Sequence, residues 1–136
     1  MKTATLPILY SFRRCPYAMR ARLALSLAGM PYICREINLK DKHPQFLSTS
    51  PKGTVPVLVL SNGEVIAESL EILDYVAQYA PQLSIPSNLI TTYTHQLSQL
   101  NHLFIPALNR YKYQDHFPES DELQLIEKMK DFCKIL

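Results

Sequence analysis

The chain has 136 residues, 47% of them hydrophobic, and a formal net charge of only +2. This length suits one well-packed domain, or one small domain with part of a second. A net positive charge this small gives no reason to expect nucleic acid or a membrane surface as a partner. No apolar run is long enough to span a bilayer, and no apolar leader begins the chain, so we expect a reducing, cytoplasmic setting.

The first forty residues favour a strand, a helix and a second strand. Residues 6–10 are apolar and of strand length, and residues 31–39 alternate apolar with polar side chains, as strands do. Between them, residues 17–28 favour a helix, with Pro16 at its first position and Gly29 after its last turn. We therefore predict a βαβ unit with a parallel pair of strands. The buried face of the helix is predicted to consist of Ala18, Ala21, Leu25 and Ala28.

The next forty residues favour a hairpin and another helix. A short helix near residues 45–47 comes first. Residues 55–60 and 65–67 then read as two antiparallel strands joined by a tight Asn-Gly turn. Ser69 is predicted to cap a helix that runs to about Tyr79. The order βαβ followed by ββα is the thioredoxin-like arrangement, an α/β fold. The last helix is predicted to bury Ile72, Leu73, Val76 and Tyr79.

The rest of the chain favours helices. Apolar residues between Ile90 and Tyr111 recur every three or four positions, which predicts one long helix bent at Pro106. Another helix is predicted to begin near Asp121. Its expected buried residues are Leu123, Ile126, Met129 and Cys133.

These elements predict two domains. Residues 1–80 form the thioredoxin-like domain, residues 81–88 a linker with two prolines and two serines, and residues 89–136 a partial all-α domain of about two helices. Up to residue 80 the chain has nine Lys and Arg against six Asp and Glu; after it, five against six. The excess of basic residues up to residue 80 fits a mildly positive site for a small anion, or a solvated basic helix face.

Cys15 is the sharpest chemical signal. It lies where a loop meets a helix, and the unpaired N–H groups and dipole of that helix favour a thiolate, the attacking species. Ala18 stands where a dithiol oxidoreductase has its second cysteine, which restricts the chemistry to monothiol exchange. The alternative is a small apolar side chain that fills a corner. Cys34 and Cys133 are predicted to be buried, and the three cysteines and four histidines show no metal-ligand pattern, so no metal is expected.

Five further residues suggest a binding groove. A cis bond before Pro56 would expose the backbone of Val55 to antiparallel pairing with a peptide-like ligand; the alternative is a trans proline at a strand entrance. Free amides near Ser69 suit a carboxylate and Glu68 suits an ammonium group; the alternative is a capping serine beside an exposed glutamate. Lys42 could meet a second carboxylate, although surface lysines are common.

Four segments in this order resemble the N-terminal domain of the glutathione transferase superfamily: Cys15-Pro16-Tyr17-Ala18, residues 20–25, residues 55–58 and Glu68-Ser69. The similarity covers about residues 6–79 and is greatest to the cysteine-containing omega class and related bacterial members. It implies that Cys15 forms a mixed disulfide with glutathione. It also implies a set of glutathione-binding residues: Lys42 at the glycine carboxylate, Val55 and Pro56 at the cysteinyl backbone, and Glu68 and Ser69 at the γ-glutamyl end.

The resemblance implies an enzyme, a glutathione-dependent thiol transferase or reductase with glutathione as co-substrate. Dehydroascorbate, a small disulfide or an electrophile would be the second substrate. Conjugation to an electrophile is less favoured, because that chemistry uses a Tyr or Ser, and Tyr10 and Ser11 precede the helix. The alternatives are a non-catalytic binding or interaction module and a truncated, inactive form.

The family's helical domain continues for several helices beyond the part found here. Residues 104–119 resemble the stretch after its first long helix, and the electrophile pocket is built partly from the later helices. An incomplete helical domain is expected to expose apolar surface around Leu125, Ile126 and Met129. We therefore expect a homo-oligomer.

Overall fold

Four strands form a single mixed sheet in the computed structural model, which describes residues 5–119 and 121–134. In spatial order they are β2 (Ile33–Glu36), β1 (Ile8–Ser11), β3 (Val57–Val59) and β4 (Val65–Ile66). β1 runs parallel to β2 and antiparallel to β3, and β3 pairs with β4 as a hairpin. The predicted βαβ-ββα order is confirmed, with strands shorter than the sequence suggested.

Helices cover both faces of this sheet. They are α1 (Pro16–Leu27), α2 (Pro44–Thr49) and α3 (Ser69–Tyr79). Alternate side chains of a strand point to opposite faces, so Leu9 packs in one core cluster and Tyr10 in the other. The first cluster joins α1 and α3 to the sheet and consists of Leu9, Ala21, Leu25, Leu58, Leu60, Ile72 and Val76. The second cluster joins α2 to the sheet and consists of Tyr10, Ile37, Phe46 and Val57.

Periodicity identified most of this core correctly. Ala18, Ala21 and Leu25 are the buried residues of α1, and Ile72 and Val76 are buried in α3. Each large apolar side chain so buried contributes about 1.5–3 kcal/mol to folding. Two predictions in this part are wrong. Tyr79 is 66% exposed at the end of α3, and Cys34 is exposed because β2 is an edge strand whose four residues are all exposed.

The chain divides into two compact units between Ser84 and Ile85. The predicted domain ends at residues 1–4 and 135–136 lie outside the described residues. The second unit contains α4 (Ile90–Gln99), a π-helical segment (Leu100–Phe104), α5 (Ile105–Lys112) and α6 (Glu122–Cys133).

A widened turn interrupts the long helix just before Pro106, where the sequence predicts a bend. The N–H of Ile105 bonds to the carbonyl of Leu100, five residues earlier. Pro106 follows at once and has no N–H to donate, so the normal bonding pattern cannot continue through it. The helix adjusts by opening into a π segment before the proline.

The buried face of α6 differs from the prediction. Asp121 caps the helix and accepts hydrogen bonds from the N–H groups of Leu123 and Gln124. The buried residues are Leu125 and Phe132, whose ring lies 5.2 Å from that of Phe104. Leu123 is 74% exposed and Cys133 is also exposed, so the prediction that they are buried is wrong. The expected exposure of Leu125 is wrong too; Ile126 and Met129 are half-buried.

Candidate functional site

Cys15 lies at the N-terminus of α1, as predicted. It is the residue that caps the helix, in an extended conformation, and Pro16 is the first helical residue. The thiol is half-buried and lies 3.7 Å from the carbonyl oxygen of Val55, to which it can donate. It accepts no hydrogen bond from the amides of α1. The sulfur thus faces the bend before β3.

The peptide bond between Val55 and Pro56 is cis. Pro56 is buried and Val55 is half-buried. Among the described residues, no backbone hydrogen bond uses the N–H of Val55. Val55 therefore presents a free backbone donor beside the Cys15 sulfur, which is the arrangement that pairing with a peptide-like ligand needs.

At the start of α3, Glu68 rather than Ser69 is the capping residue, which corrects the predicted cap by one position. The first intrahelical bond runs from the N–H of Ile72 to the carbonyl of Glu68. The amides of residues 69–71 therefore lack intrahelical partners. The buried Ser69 hydroxyl accepts from the guanidinium of Arg20 on α1, at 3.4 Å, so a cation lies beside these amides.

Glu68 already has a cationic partner, which the sequence analysis missed. The Lys52 ammonium donates to its carboxylate, and the two side chains are 61% and 53% exposed. The hydrogen bond and charge of Glu68 raise the pKa of Lys52. The side chains lie 16 positions apart in the chain, so the pair could be recognised only from the tertiary structure.

Lys42 lies beside the turn that carries Lys52. A Cβ added to Gly53 would be 3.4 Å from the Lys42 Nζ atom, and Gly53 has a φ of 64°. Only glycine adopts this backbone conformation at little cost and leaves that space for the lysine. Lys42 is half-buried there, and Gly53 lies two residues before the Val55-Pro56 bend begins.

Side-chain hydrogen bonds that the sequence did not predict hold the turn before Cys15. The guanidinium of Arg22 donates to Ser11 and to the carbonyls of Phe12 and Arg13. On the other side, the N–H of Arg13 donates to Glu36 at 2.7 Å. The side chains of Arg13 and Arg14 are exposed, and Arg14 lies over the Phe12 ring.

One direct contact joins predicted site residues, that of Cys15 with Val55, and the others bond or pack against neighbouring residues of the first unit. Cys15 meets Val55, Glu68 meets the turn at residues 51–53 through Lys52, and Lys42 packs on that turn. Ser69 is tied to α1 through Arg20. The groups so described are one thiol, the amides at the start of α3, one carboxylate and the cations of Arg20, Lys42 and Lys52.

A large groove on the first unit does not suit an anionic ligand. It has a volume of about 660 Å³, lies between β4 and α3, and has an acidic lining that includes Glu64, Glu71 and Asp74. Within residues 5–119 and 121–134, no group of three His, Cys, Asp or Glu side chains is placed to hold a metal ion. No helix in the described part of the chain is long and apolar enough to cross a membrane.

The four-stranded sheet, the cysteine at the start of its first helix and the cis-proline before β3 define a thioredoxin-like protein with a single cysteine at the first helix N-terminus. Residues 9–84, more than half of the chain, match the family described as "Glutathione S-transferase, N-terminal domain". The chain belongs to this family, and the resemblance found in the sequence is confirmed.

Two relatives illustrate the breadth of the family. Glutathione S-transferase omega-1 of Sus scrofa is 40% identical over 72 residues, which are 53% of this chain and 30% of the relative. Maleylacetoacetate isomerase of Pseudomonas aeruginosa is 32% identical over 85 residues, 59% of this chain and 40% of the relative. The chain therefore spans well under half the length of these relatives.

Solved structures show that the fold extends into the second unit. Glutathione transferase Omega 3C of Trametes versicolor superposes with a TM-score of 0.79 at 21% identity, over 96% of this chain and 57% of its own. A family member from Pseudomonas fluorescens, solved with two glutathione molecules bound, has a TM-score of 0.74 at 21% identity, over 100% and 66% of the two chains. At these identities the likeness shows the fold alone.

Proposed function

We propose that this chain binds glutathione and transfers thiol groups through a mixed disulfide on Cys15. The observation that carries the proposal is the Cys15 sulfur at a helix N-terminus, 3.7 Å from the Val55 carbonyl at a cis-proline bend. The relatives named as glutathione transferases, and the family member solved with glutathione, support the ligand.

The charges around Cys15 suit glutathione, which carries two carboxylates and one ammonium group at neutral pH. In the proposed complex, the free backbone of Val55 pairs with the cysteinyl residue, with Pro56 holding the bend. The amides at Ser69, with Arg20 beside them, receive the γ-glutamyl carboxylate, and Glu68 receives the ammonium group. Lys42 receives the glycine carboxylate.

The proposed reaction has two exchange steps. The Cys15 thiolate attacks the glutathionyl sulfur of a mixed disulfide, so the old S–S bond breaks, a protein–glutathione disulfide forms and the substrate leaves as a thiolate. A second glutathione thiolate then attacks the glutathionyl sulfur of that protein disulfide, releasing glutathione disulfide and the Cys15 thiolate. Small disulfides fit this scheme. Dehydroascorbate would enter it differently: the Cys15 thiolate adds to a carbonyl carbon, and a glutathione thiolate then attacks the Cys15 sulfur, so the C–S bond breaks, ascorbate leaves and the protein–glutathione disulfide forms. The second step then follows as before, so the reduction consumes two glutathione molecules.

A hydroxyl-based conjugation is less well supported. Tyr10 is 4% exposed in β1 and packs against Phe46. Ser11 is fully buried, and its hydroxyl is bonded to Arg22. Neither hydroxyl lies at the start of α1, whereas the thiol of Cys15 does. We place this thiol chemistry in a reducing compartment such as the cytoplasm, where glutathione is kept reduced.

The test is Cys15→Ser in a background that also carries Cys34→Ser and Cys133→Ser, because both other cysteines are exposed and would react. With hydroxyethyl disulfide and glutathione, the background protein is expected to turn over and the Cys15→Ser variant is not, since a serine hydroxyl is a far weaker nucleophile at neutral pH. Calorimetry is expected to show that both bind glutathione within about threefold of each other, because the binding contacts remain.

The outcomes separate the candidate functions. Undiminished turnover in the Cys15→Ser variant would refute the assignment of Cys15. Binding without turnover in the background protein would instead indicate a non-catalytic glutathione-binding module. A background protein that neither binds nor reacts would overturn the proposed function.

A further inference from the structure

Arg22 lies seven residues after Cys15 on α1, and therefore on the same face of the helix, about two turns further on. Side chains on a helix slope back toward its N-terminus, so a long arginine at this position reaches the turn that precedes Cys15. Its guanidinium lies 2.5 Å from the Ser11 hydroxyl, 3.4 Å from the Phe12 carbonyl and 3.0 Å from the Arg13 carbonyl.

These bonds hold a short turn between β1 and α1. The carbonyl of Phe12 also accepts the N–H of Cys15, at 3.0 Å, which closes the turn. Glu36, at the end of β2, accepts the N–H of Arg13 from the opposite side. The hydroxyl of Ser11, the inner attachment point, is on a fully buried residue. The backbone of Cys15 is thereby tied through Arg22 to the sheet and to its own helix.

We propose that Arg22 is a positioning residue that keeps the Cys15 sulfur against the Val55 bend, where a glutathionyl sulfur can be attacked in line. The inference rests on the proposed function, since it assigns Arg22 a role in that exchange. A planar guanidinium can donate to three acceptors at once, whereas a lysine ammonium at the same position cannot reproduce this geometry. The role is geometric, because the N–H groups of the Arg22 guanidinium donate their hydrogen bonds to the turn.

The test compares Arg22→Met and Arg22→Lys with Arg14→Met, all in the Cys34→Ser and Cys133→Ser background. Arg14 belongs to the same turn and has the same charge, but it stacks on Phe12 and leaves the Arg22 bonds intact. The first readout is amide hydrogen exchange of Cys15. We expect about tenfold faster exchange in Arg22→Met, as for the loss of hydrogen bonds to a charged group, and no change in Arg14→Met.

The second readout is the ratio of two rate constants for Cys15, with glutathione disulfide and with hydroxyethyl disulfide. A general change in thiol reactivity moves both rates together, whereas misplacement of the sulfur slows only the reaction with the disulfide bound in the groove. We expect the ratio to fall about tenfold in Arg22→Met, less in Arg22→Lys and not at all in Arg14→Met. Circular dichroism checks that each variant is folded, and Arg22→Lys carries the comparison if Arg22→Met is not.

An unchanged ratio in folded Arg22 variants overturns the inference, even if amide exchange is faster, because Arg22 would then be structural only. An equal fall in Arg14→Met also overturns it and indicates an effect of charge. If the background protein itself shows no preference for glutathione disulfide, the proposed function fails. The exchange rate then still decides whether Arg22 holds the turn.

Discussion

At the residue scale, the Lys52 ammonium bonds to the Glu68 carboxylate, which is the group proposed to receive a ligand's ammonium. Both side chains of this ion pair are more than half exposed. If glutathione binds as proposed, its ammonium group replaces that of Lys52 as the partner of Glu68. Because the pair is exposed, water and salt weaken it, and the exchange is expected to cost little.

We predict that Lys52→Met tightens glutathione binding by about two- to fivefold at low salt, since the competing ammonium is gone. Glu68→Gln is expected to weaken binding, because the negative charge that attracts the ligand is lost. Isothermal titration calorimetry at low salt and at about 1 M salt measures both effects, and the gain in Lys52→Met should vanish at high salt.

Lys40→Met is the matched control, because it removes the same charge from an exposed lysine of the same unit. It is expected to leave affinity nearly unchanged. Weaker binding in Lys52→Met than in Lys40→Met would contradict the prediction and would indicate that Lys52 contacts the ligand directly.

Single residues with a local signature could be predicted. Cys15 was recognised from the Cys-Pro pair at a helix start, and the bend at Val55-Pro56 from its place before a hairpin. Their positions relative to one another in the structure agree with those predictions. The contacts of Arg22, Lys52 and Glu36 were not predicted. Their partners are set by packing of the whole first unit, and no local sequence pattern records that packing.

At the scale of elements, α3 carries two tyrosines one turn apart whose rings are in contact. The ring centroids of Tyr75 and Tyr79 lie 4.9 Å apart at an angle of 51°. Burial, followed by the hydrogen bond with Tyr79, raises the pKa of Tyr75 to about 12. In the unfolded chain the same hydroxyl titrates near 10.

A raised pKa in the folded state means that the native protein keeps this proton at a pH where the unfolded chain loses it. The stabilisation by neutral Tyr75 is therefore complete below about pH 10 and is lost as the pH rises toward about 12. We predict that the melting temperature falls more steeply over this range in the wild type than in Tyr75→Phe, which has no proton to lose.

Tyr113→Phe is the control, since Tyr113 is 51% exposed and lies in the second unit. It is expected to follow the wild-type slope. Thermal melts by circular dichroism at intervals from about pH 9 to 12 make the comparison, and parallel slopes for Tyr75→Phe and the wild type would contradict the prediction.

Element prediction succeeded where a single apolar face was unambiguous, as in α1 and α3. It failed in α6, where apolar residues at 123, 125, 126, 129, 132 and 133 form a stripe too wide to assign one buried face. Contact with Phe104 selects the face that contains Phe132 and leaves Leu123 exposed. The π segment was missed because its bonding pattern leaves no separate signal beyond the proline itself.

At the scale of the whole molecule, we propose that the chain self-associates through apolar side chains of the second unit. Leu123 is 74% exposed and Leu103 is 53% exposed. A groove of about 440 Å³ between α5 and α6 is lined largely by apolar atoms, including those of Leu103 and Ala107. Exposed apolar surface of this kind lowers its free energy when a second molecule covers it.

Size-exclusion chromatography with light scattering is expected to give a mass above the 15.6 kDa of one chain, and Leu123→Gln is expected to shift the protein toward the monomer. The matched control is Leu23→Gln, which changes a 61% exposed leucine of the first unit and should leave the mass unchanged. A wild-type monomer at all concentrations would contradict the proposal.

The amino-acid sequence by itself determined the order of strands and helices in the first unit, the core faces of α1 and α3, the family, and the position of Cys15 before its helix. These depend on local periodicity and on short motifs, which are properties of neighbouring residues. Only the tertiary structure decided that β2 is an exposed edge strand and which face of α6 is buried. It also decided that Lys52 bonds to Glu68 and that Arg22 bonds to the turn before Cys15. Each of these depends on residues far apart in the chain, and packing of the folded chain brings them into contact.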